Sequence, residues 1–339
     1  MKLIIRIILL SICLYSCSKV HEVPEMFKYD TEVIAVFTPR GIGDHSSAEL
    51  QYKGMITTAD ALGISFRPVF PLTYEEGAET IARLSCEDVP GRRRLIVSTD
   101  PEYSDYLREV ASQGHIVDSE STKLLVFDGD FTHPDVYTVH VPFYGLMYKA
   151  GYIAGQMSDV ENVRIYIAND KYLYIREGLD GFIDGFSLNN ENQVGVVDYS
   201  ETLDDDDTAG FMLRSLTYMT DAPECNNLCD MVLPICGDSI MGFLRYNREF
   251  PGRFYTVGVD ADMSVYASDV PFSCVGHLDR VISTCITDWI GNRLSHYRRF
   301  GLDEGWLELV IPDNYKNLLG PLSDEIHAQA VEKEGNYEI

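Results

Sequence analysis

A two-lobed α/β fold built on parallel sheets is predicted by three observations. Short apolar, β-branched runs alternate with stretches of helical spacing along the whole chain. The runs are continuously apolar rather than alternating apolar and polar, as strands covered by helices on both faces require. The alternation also occurs twice, with a first crossover near 141–146. Ligands of open α/β sheets bind outside the carboxyl ends of the strands, so two such lobes turn those ends towards a shared cleft. Hinge closure of the lobes around a small molecule suits that arrangement.

The first series opens with "EVIAVF" (32–37) and a helix near 47–61. "ISFRPVF" (64–70) precedes a helix near 73–85, and "RLIVST" (94–99) one near 102–113. "KLLVFD" (123–128) and "VYTVHV" (136–141) complete it. The second series runs through a helix near 145–157, "VRIYIA" (163–168), a helix near 172–188 and "QVGVVDY" (193–199). A helix near 207–219, "DMVLPIC" (230–236), a helix near 238–248 and "FYTVGVD" (254–260) finish it. Segments around 271–276 and 305–311 are expected to cross back. The expected division is an N-terminal lobe of 31–143 plus about 275–303, and a C-terminal lobe of 144–274 plus about 304–339.

The first twenty residues differ in kind. Lys2 and Arg6 make a positive start, Leu3 to Leu14 an apolar stretch, and "LYSC" closes it with Ser16 before Cys17. The stretch is too short to span a bilayer comfortably and reads as an export signal over 1–16, with a polar tether over 17–30. A cysteine at the cleavage point looks like a bacterial lipobox, which implies lipid attachment at Cys17. An uncleaved anchor, or an ordinary signal with an incidental cysteine, are the alternatives. The expected place is the bacterial cell envelope, outside the cytoplasm.

Beyond Cys13 and Cys17 of the first stretch, six of the eight cysteines remain, and six in over 300 residues do not make a disulfide scaffold. "CNNLC" (225–229) can close a short loop in an oxidising compartment, while the other four lie in or beside apolar runs and read as small buried residues. No Cys-x-x-Cys pair and no histidine pair at helical ligand spacing supports a metal site. The formal charge is −26, and −28 once Lys2 and Arg6 leave with the signal. That charge opposes binding to nucleic acid and to anionic lipid heads, and fits neutral or cationic ligands.

"GIGDHSSAEL" (41–50) lies where a strand turns into a helix. Ser46 stands where a dinucleotide loop needs its third glycine, and no Gly-Lys-Ser/Thr follows, so no nucleotide cofactor is expected. Ser46 to Glu49 match a capping box. Asp44, His45 and Ser47 are therefore either cleft contacts at a strand end or parts of a turn and cap. "GVDADMS" (258–264) ends a strand with Asp260 and Asp262, a pair able to do acid–base work, hold a metal or, as the better reading, accept from ligand hydroxyls. In "ICGDSIMGF" (235–243), Gly237 allows close backbone approach and Asp238 or Ser239 caps the next helix. Tyr172 and Tyr174 follow a strand end and can stack on a flat ring or pack on their own lobe. "DDDD" (204–207) reads as a solvated helix N-terminus. No Gly-x-Ser-x-Gly, His-Glu-x-x-His or Ser-x-x-Lys motif is present, which points to binding without catalysis.

The order of these pieces resembles the basic membrane protein family of substrate-binding lipoproteins, which serve ABC importers and whose characterised members bind purine nucleosides. "GIGDHSSAE" resembles the family's glycine turn followed by Asp-x-Ser-Phe-Asn, and "YKAGYIAGQMS" (148–158) its Ala-Tyr-Leu-Ala-Gly helix. "IREGLDGFIDGF" resembles the pattern ending Gly-Phe-x-x-Gly, at Gly181, Phe182 and Gly185; "GVDADMS" resembles Gly-Val-Asp-x-Asp-Gln. "SCVGHLDRVI" (273–282) resembles Ser-x-x-Lys-x-x-Asp. The resemblance implies a type I periplasmic-binding protein, two Rossmann-like lobes with Asp44 and Asp260 as polar ligand contacts and Gly237 as the close backbone approach. The chain departs from the pattern at Ser47-Ala48, at Met263 and at Gly276, where His277 is the nearest polar neighbour. The expected function is that of a lipid-anchored solute-binding protein closing on a small polar ligand, a nucleoside by resemblance, for an ABC permease. A transport-independent sensor or surface lipoprotein with a degenerate cleft is the alternative, and an enzyme on the same scaffold is the remote third.

Overall fold

The computed structural model describes residues 30–39, 41–42, 47–87, 89, 91–116, 118–129, 131–167, 171–188, 193–198, 230–237 and 240–337. The first lobe runs β1 (Thr31–Val36), α1 (Ser47–Leu62), β2 (Ser65–Val69), α2 (Tyr74–Cys86), β3 (Arg93–Ser98), α3 (Ser104–Ser112), β4 (Thr122–Phe127) and β5 (Tyr137–His140). With β12 (Tyr297–Arg299) these strands form one six-stranded sheet in the order β12-β5-β4-β3-β1-β2, parallel throughout. Its strands bury both faces. Val33 and Ala35 pack with Leu95 and Val97 in one cluster, while Ile34 and Val36 pack with Ile96 and Leu124 in another. The unbroken apolar runs are the sequence form of that double burial.

The second lobe repeats the plan with α4 (Tyr144–Gln156), β6 (Asn162–Ile167), α5 (Leu173–Phe186), β7 (Gln193–Asp198), β8 (Met231–Ile235), α6 (Ile240–Glu249) and β9 (Tyr255–Thr256). Its parallel sheet has the order β7-β6-β8-β9, the counterpart of β2-β1-β3-β4. Strand order therefore reverses between β1 and β3 in one lobe and between β6 and β8 in the other, the switch points where α/β folds open a crevice. Helices α4 and α5 cross at backbone contact. A Cβ at Gly151 would lie 2.2 Å from the Phe182 carbonyl, one at Gly181 2.3 Å from that of Tyr144, and one at Gly185 2.0 Å from that of Tyr148. The Gly-Phe-x-x-Gly pattern is thus a packing motif.

The run 254–260 was expected as one strand and is two. β9 pairs with β8, whereas β10 (Gly258–Asp260) leaves that sheet and pairs with β11 (Ser273–Gly276), itself antiparallel to β13 (Leu307–Val310). Gly258 sits at the break, where a Cβ would meet Ser273 Oγ at 2.1 Å. A single apolar run cannot reveal that its halves have different partners. α7 (Leu278–Ile290) packs on α1 of the first lobe, and α8 (Asp313–Asn336) packs on α4 of the second.

The chain passes between the lobes at 141–143, at 277 and at 300–306, and buried acids fasten two of these passages. Glu177 on α5 accepts from Phe143 N (3.1 Å) and faces His140 Nε2 at 2.9 Å. Glu334 on α8 accepts from Gly145 N (3.2 Å) and Leu302 N (2.9 Å), with Arg299 at 3.4 Å. Cys236, Cys274 and Cys285 are buried as expected, but Cys86 at the end of α2 is exposed, because it ends the helix on its solvent side. Cys225, Cys229, the "DDDD" run, the 207–219 helix and residues 1–29 with Cys17 lie outside the described residues. No described helix is long and apolar enough to cross a membrane.

Candidate functional site

Strand ends of both lobes bring their first loop residues together. After β3, Asp100 caps the turn Pro101–Tyr103 by accepting from Glu102 N (2.9 Å), and it accepts from the Tyr74 hydroxyl at 3.4 Å. Tyr74 also lies 3.2 Å from Thr38 Oγ1 beyond β1, so the two strands of the switch point are tied at their carboxyl ends. Tyr103 anchors the turn by donating to the Phe37 carbonyl at 2.6 Å. After β4, Asp128 adopts φ +47° and accepts from Val141 N (3.0 Å), with His140 Nδ1 at 3.5 Å.

From the second lobe come Tyr172 and Tyr174 beyond β6, Gly237 beyond β8 and Asp260 at the end of β10. The two tyrosine rings stack with centroids 6.3 Å apart and planes 12° apart. Gly237 has φ +56°, the left-handed conformation that glycine supplies without strain. Asp260 has φ +69°, a value uncommon outside glycine and better tolerated by Asp and Asn than by bulkier residues.

Electrostatics report which of these groups converge. Burial pushes the Tyr174 hydroxyl well above its ordinary pKa, and Asp260, Asp100 and Asp128 push it further. Burial also raises Tyr172, followed by its hydrogen bond to Glu102 and the charge of Asp100. One phenol thus feels acids from three strand ends, and another meets a carboxylate of the facing lobe. Ser104, Asp128, Lys171 and Tyr172 line a crevice at this junction. The Ser104 hydroxyl in this crevice has no hydrogen-bond partner, nor has one oxygen of Glu102, two residues before it in the chain.

Of the expected site residues, Tyr172, Tyr174 and Asp260 come together. Ser47 is the half-buried first residue of α1, and its neighbour Ala48 is buried in the core. His277 precedes α7 and pairs with Glu308 through Nε2 at 3.1 Å; it is not among the groups acting on Tyr174. Asp44, His45 and Asp238 lie outside the described residues. The pairing of Asp260 with Asp262 does not hold, because Asp262 accepts from Ser264 N (3.0 Å) and Ser264 Oγ (2.7 Å) and caps a single helical turn. Among the described residues no cluster of His, Cys, Asp and Glu is placed to hold a metal.

Asp100, Glu102, Ser104 and Asp128 were missed, although "VSTD" and "VFD" carry the same strand-end carboxylate that drew attention to "GVD". Applying that rule to every strand would have found two of them.

A solute-binding protein of an ABC transporter system from Aeropyrum pernix K1 is similar in structure, with TM-score 0.69 and 15% identity over 88% of this chain and 91% of that one. A solute-binding protein from Agrobacterium vitis with bound allitol aligns at TM-score 0.63 and 10% identity, over 86% and 99% of the two chains. A transcriptional activator of the comK gene from Bacillus halodurans aligns at TM-score 0.62 and 17% identity, over 88% and 97%. At these identities the likeness concerns the fold. No curated protein matches the chain. The family model described as "ABC transporter substrate-binding protein PnrA-like" matches residues 31–337, from β1 to the end of α8. The chain belongs to that family, Bmp, whose members are substrate-binding proteins of ABC transporters.

Proposed function

We propose that this substrate-binding protein is lipid-anchored at Cys17 outside the cytoplasm, closes its lobes on a small hydroxyl-bearing ligand of nucleoside type, and delivers it to an ABC permease. The observation that carries the ligand part is the crevice that Ser104 and Asp128 of one lobe line together with Tyr172 of the other, beside the stacked Tyr172–Tyr174 pair; the charges of Asp100, Asp128 and Asp260 acting on Tyr174 agree with it. Carboxylates are acceptor-only groups and suit ligand hydroxyls, while stacked tyrosines offer a face to a flat ring. Asp44, His45, Ser47, Gly237, Asp238 and His277 keep ligand contact as part of this proposal, on their strand-end or resemblance-given positions.

A thermal-shift screen with nucleosides, sugars and amino acids tests it. A ligand at 100 times its dissociation constant adds about 2.7 kcal/mol of stability. A shift with purine nucleosides supports the reading, and shifts confined to sugars or amino acids overturn its nucleoside part. Radiolabelled palmitate should enter the full chain in cells and be absent from Cys17→Ser; incorporation into both would remove the anchor assignment.

A further inference from the structure

The crossing at 141–143 is clamped at both ends, and the two clamps meet on one side chain. Val141 N donates to Asp128 Oδ1 of the first lobe (3.0 Å), and Phe143 N donates to Glu177 Oε2 of the second (3.1 Å). Pro142 between them has no N–H to offer. His140 stands between the two acids, with Nε2 2.9 Å from Glu177 Oε1 and Nδ1 3.5 Å from Asp128 Oδ1. The His140 and Glu177 side chains are only 6% and 4% exposed, so water does not share this contact between lobes. Nδ1 makes no hydrogen bond in this arrangement, and the Asp128 side of the bridge is therefore the looser one. Asp128 also lines the interlobe crevice, with Ser104 of its own lobe and Tyr172 of the other.

Other charged groups on the elements packed here are engaged elsewhere. Arg299 on β12, opposite His140 in the sheet, turns to Glu334 on α8 at 3.4 Å. Glu334 carries its own bonds from Gly145 and Leu302, and it and Glu177 repel one another. Tyr297 on β12 and Tyr174 on α5 bring phenols that feel Asp128 and add no cation. Carboxylates only accept, whereas a neutral imidazole has one donor and one acceptor and can serve one of the two acids. With its second proton it can donate to both, through charge-assisted bonds that low polarity strengthens. Burial alone would lower the His140 pKa; Asp128 and Glu177 together outweigh it and hold it at about 9.

We propose that His140 is a positioning residue for lobe closure: its imidazolium joins Asp128 of the first lobe to Glu177 of the second across the 141–143 crossing, and losing one proton lets the lobes open. A neutral ring turns a lone pair towards one carboxylate, and that acid moves away with the backbone N–H it clamps. The change falls at the pivot, where small shifts become large displacements further out. Asp128 passes it on most directly, because it is also a wall of the crevice. The closed arrangement holds the proton more tightly than the open one, so closure is favoured at low pH and lost as pH rises through about 9. Each pKa unit between the two arrangements changes the closed-to-open ratio about tenfold. The inference rests on the hinge closure proposed above, and depends neither on the ligand's identity nor on an anchor at Cys17.

Small-angle X-ray scattering on the mature chain without any ligand tests this, so its outcome is separate from that of the nucleoside screen. The radius of gyration should rise between about pH 7 and about pH 9.5, in step with titration of the His140 imidazole followed by NMR. His140→Gln keeps one donor for Glu177 and cannot change its charge, so its radius should not respond to pH. Glu177→Gln keeps an acceptor for Phe143 N but removes one of the two charges, and should move the opening about one pH unit or more lower. A radius that stays flat while His140 titrates overturns the proposal, since a merely structural ion pair behaves that way. The same rise in His140→Gln, or an opening that Glu177→Gln leaves in place, assigns the response to another group and overturns it as well. Unfolding in place of opening does the same, because the imidazolium would then hold the fold and not the hinge.

Discussion

The carboxylates at the hinge and those at the cleft are chemically the same groups put to opposite uses. At the hinge, Glu334 and Glu177 accept from backbone N–H groups of the crossing segments, and each has a basic neighbour in Arg299 or His140. A Cβ at Gly145 would meet Glu334 Oε2 at 2.6 Å and one at Gly301 would meet Oε1 at 2.7 Å, so the chain is kept clear around this acid. In the cleft, by contrast, one Glu102 oxygen and the Ser104 hydroxyl stand without partners, and acids from both lobes act on Tyr174. Buried polar groups are ordinarily satisfied, and those that are not mark places where stability has been given up for another purpose. The hinge acids hold the passages between lobes; the cleft acids stand at strand ends where a ligand is expected.

Removing a hinge acid should therefore produce the largest loss. Glu334→Ala strands two backbone donors and Arg299, and should cost about 3 to 5 kcal/mol, the range for breaking a buried pair. Urea denaturation measures it. A loss below about 1 kcal/mol would erase the distinction between the regions, since that is the scale of an ordinary surface change.

The hinge should also make stability fall as pH rises. Burial would lower the His140 pKa, but Asp128 and Glu177 outweigh it and hold it at about 9, against an ordinary 6.5. Burial lifts Glu334 from 4.5 to about 7, in spite of its bonds from Leu302 and Gly145 and the charge of Arg299. Both groups hold a proton more tightly folded than unfolded. The unfolded chain binds fewer protons in the intervening range, so unfolding becomes easier as pH increases. For Glu334 the window is about 4.5 to 7 and for His140 about 6.5 to 9. The His140 contribution, of order 3 kcal/mol, is complete below pH 6.5 and lost as pH passes 9. Urea midpoints at pH 6 and 9 should show the decline, and His140→Gln should flatten the upper window. A midpoint that rises with pH contradicts the assignment.

Cleft acids should respond in the opposite way. Glu102→Gln removes one of several facing charges and leaves its backbone duties untouched, so unliganded stability should stay within about 0.5 kcal/mol or rise slightly. A loss as large as that of Glu334→Ala would show that Glu102 is a structural acid.

How much of this was legible in sequence follows from the range of the interactions. Strands and helices up to Glu249 came from local periodicity, and among the described residues their boundaries fell within about two residues because burial on both faces leaves an unbroken apolar run; the helices Leu278–Ile290 and Asp313–Asn336 were not anticipated. The division of 254–260 between two sheets depends on partners at 231–235 and 273–276, which no local pattern encodes. Within the site, Asp260, Tyr172 and Tyr174 were found because they stand at strand ends, whereas Ser104 lies in a helix and becomes visible only when its hydroxyl is left bare in a crevice. Gly181 and Gly185 were part of a recognisable pattern, but only the crossing of α4 and α5 shows that the pattern serves packing.

Asp262 offers the finest test, two residues from Asp260. In sequence the two acids are an equivalent pair; in the fold they are not. Asp262 accepts from Ser264 N and Oγ and starts the turn Met263–Val265, whereas Asp260 acts on Tyr174 of its own lobe. Asp262→Ala should therefore cost about 1 kcal/mol, the ordinary effect of losing an N-cap, and leave the ligand-induced thermal shift unchanged. Asp260→Asn should do the reverse, preserving baseline stability at φ +69° while reducing the shift. If both variants weaken the ligand shift equally, Asp262 belongs to the cleft as well and the boundary between structural and ligand-facing acids must be moved to include it.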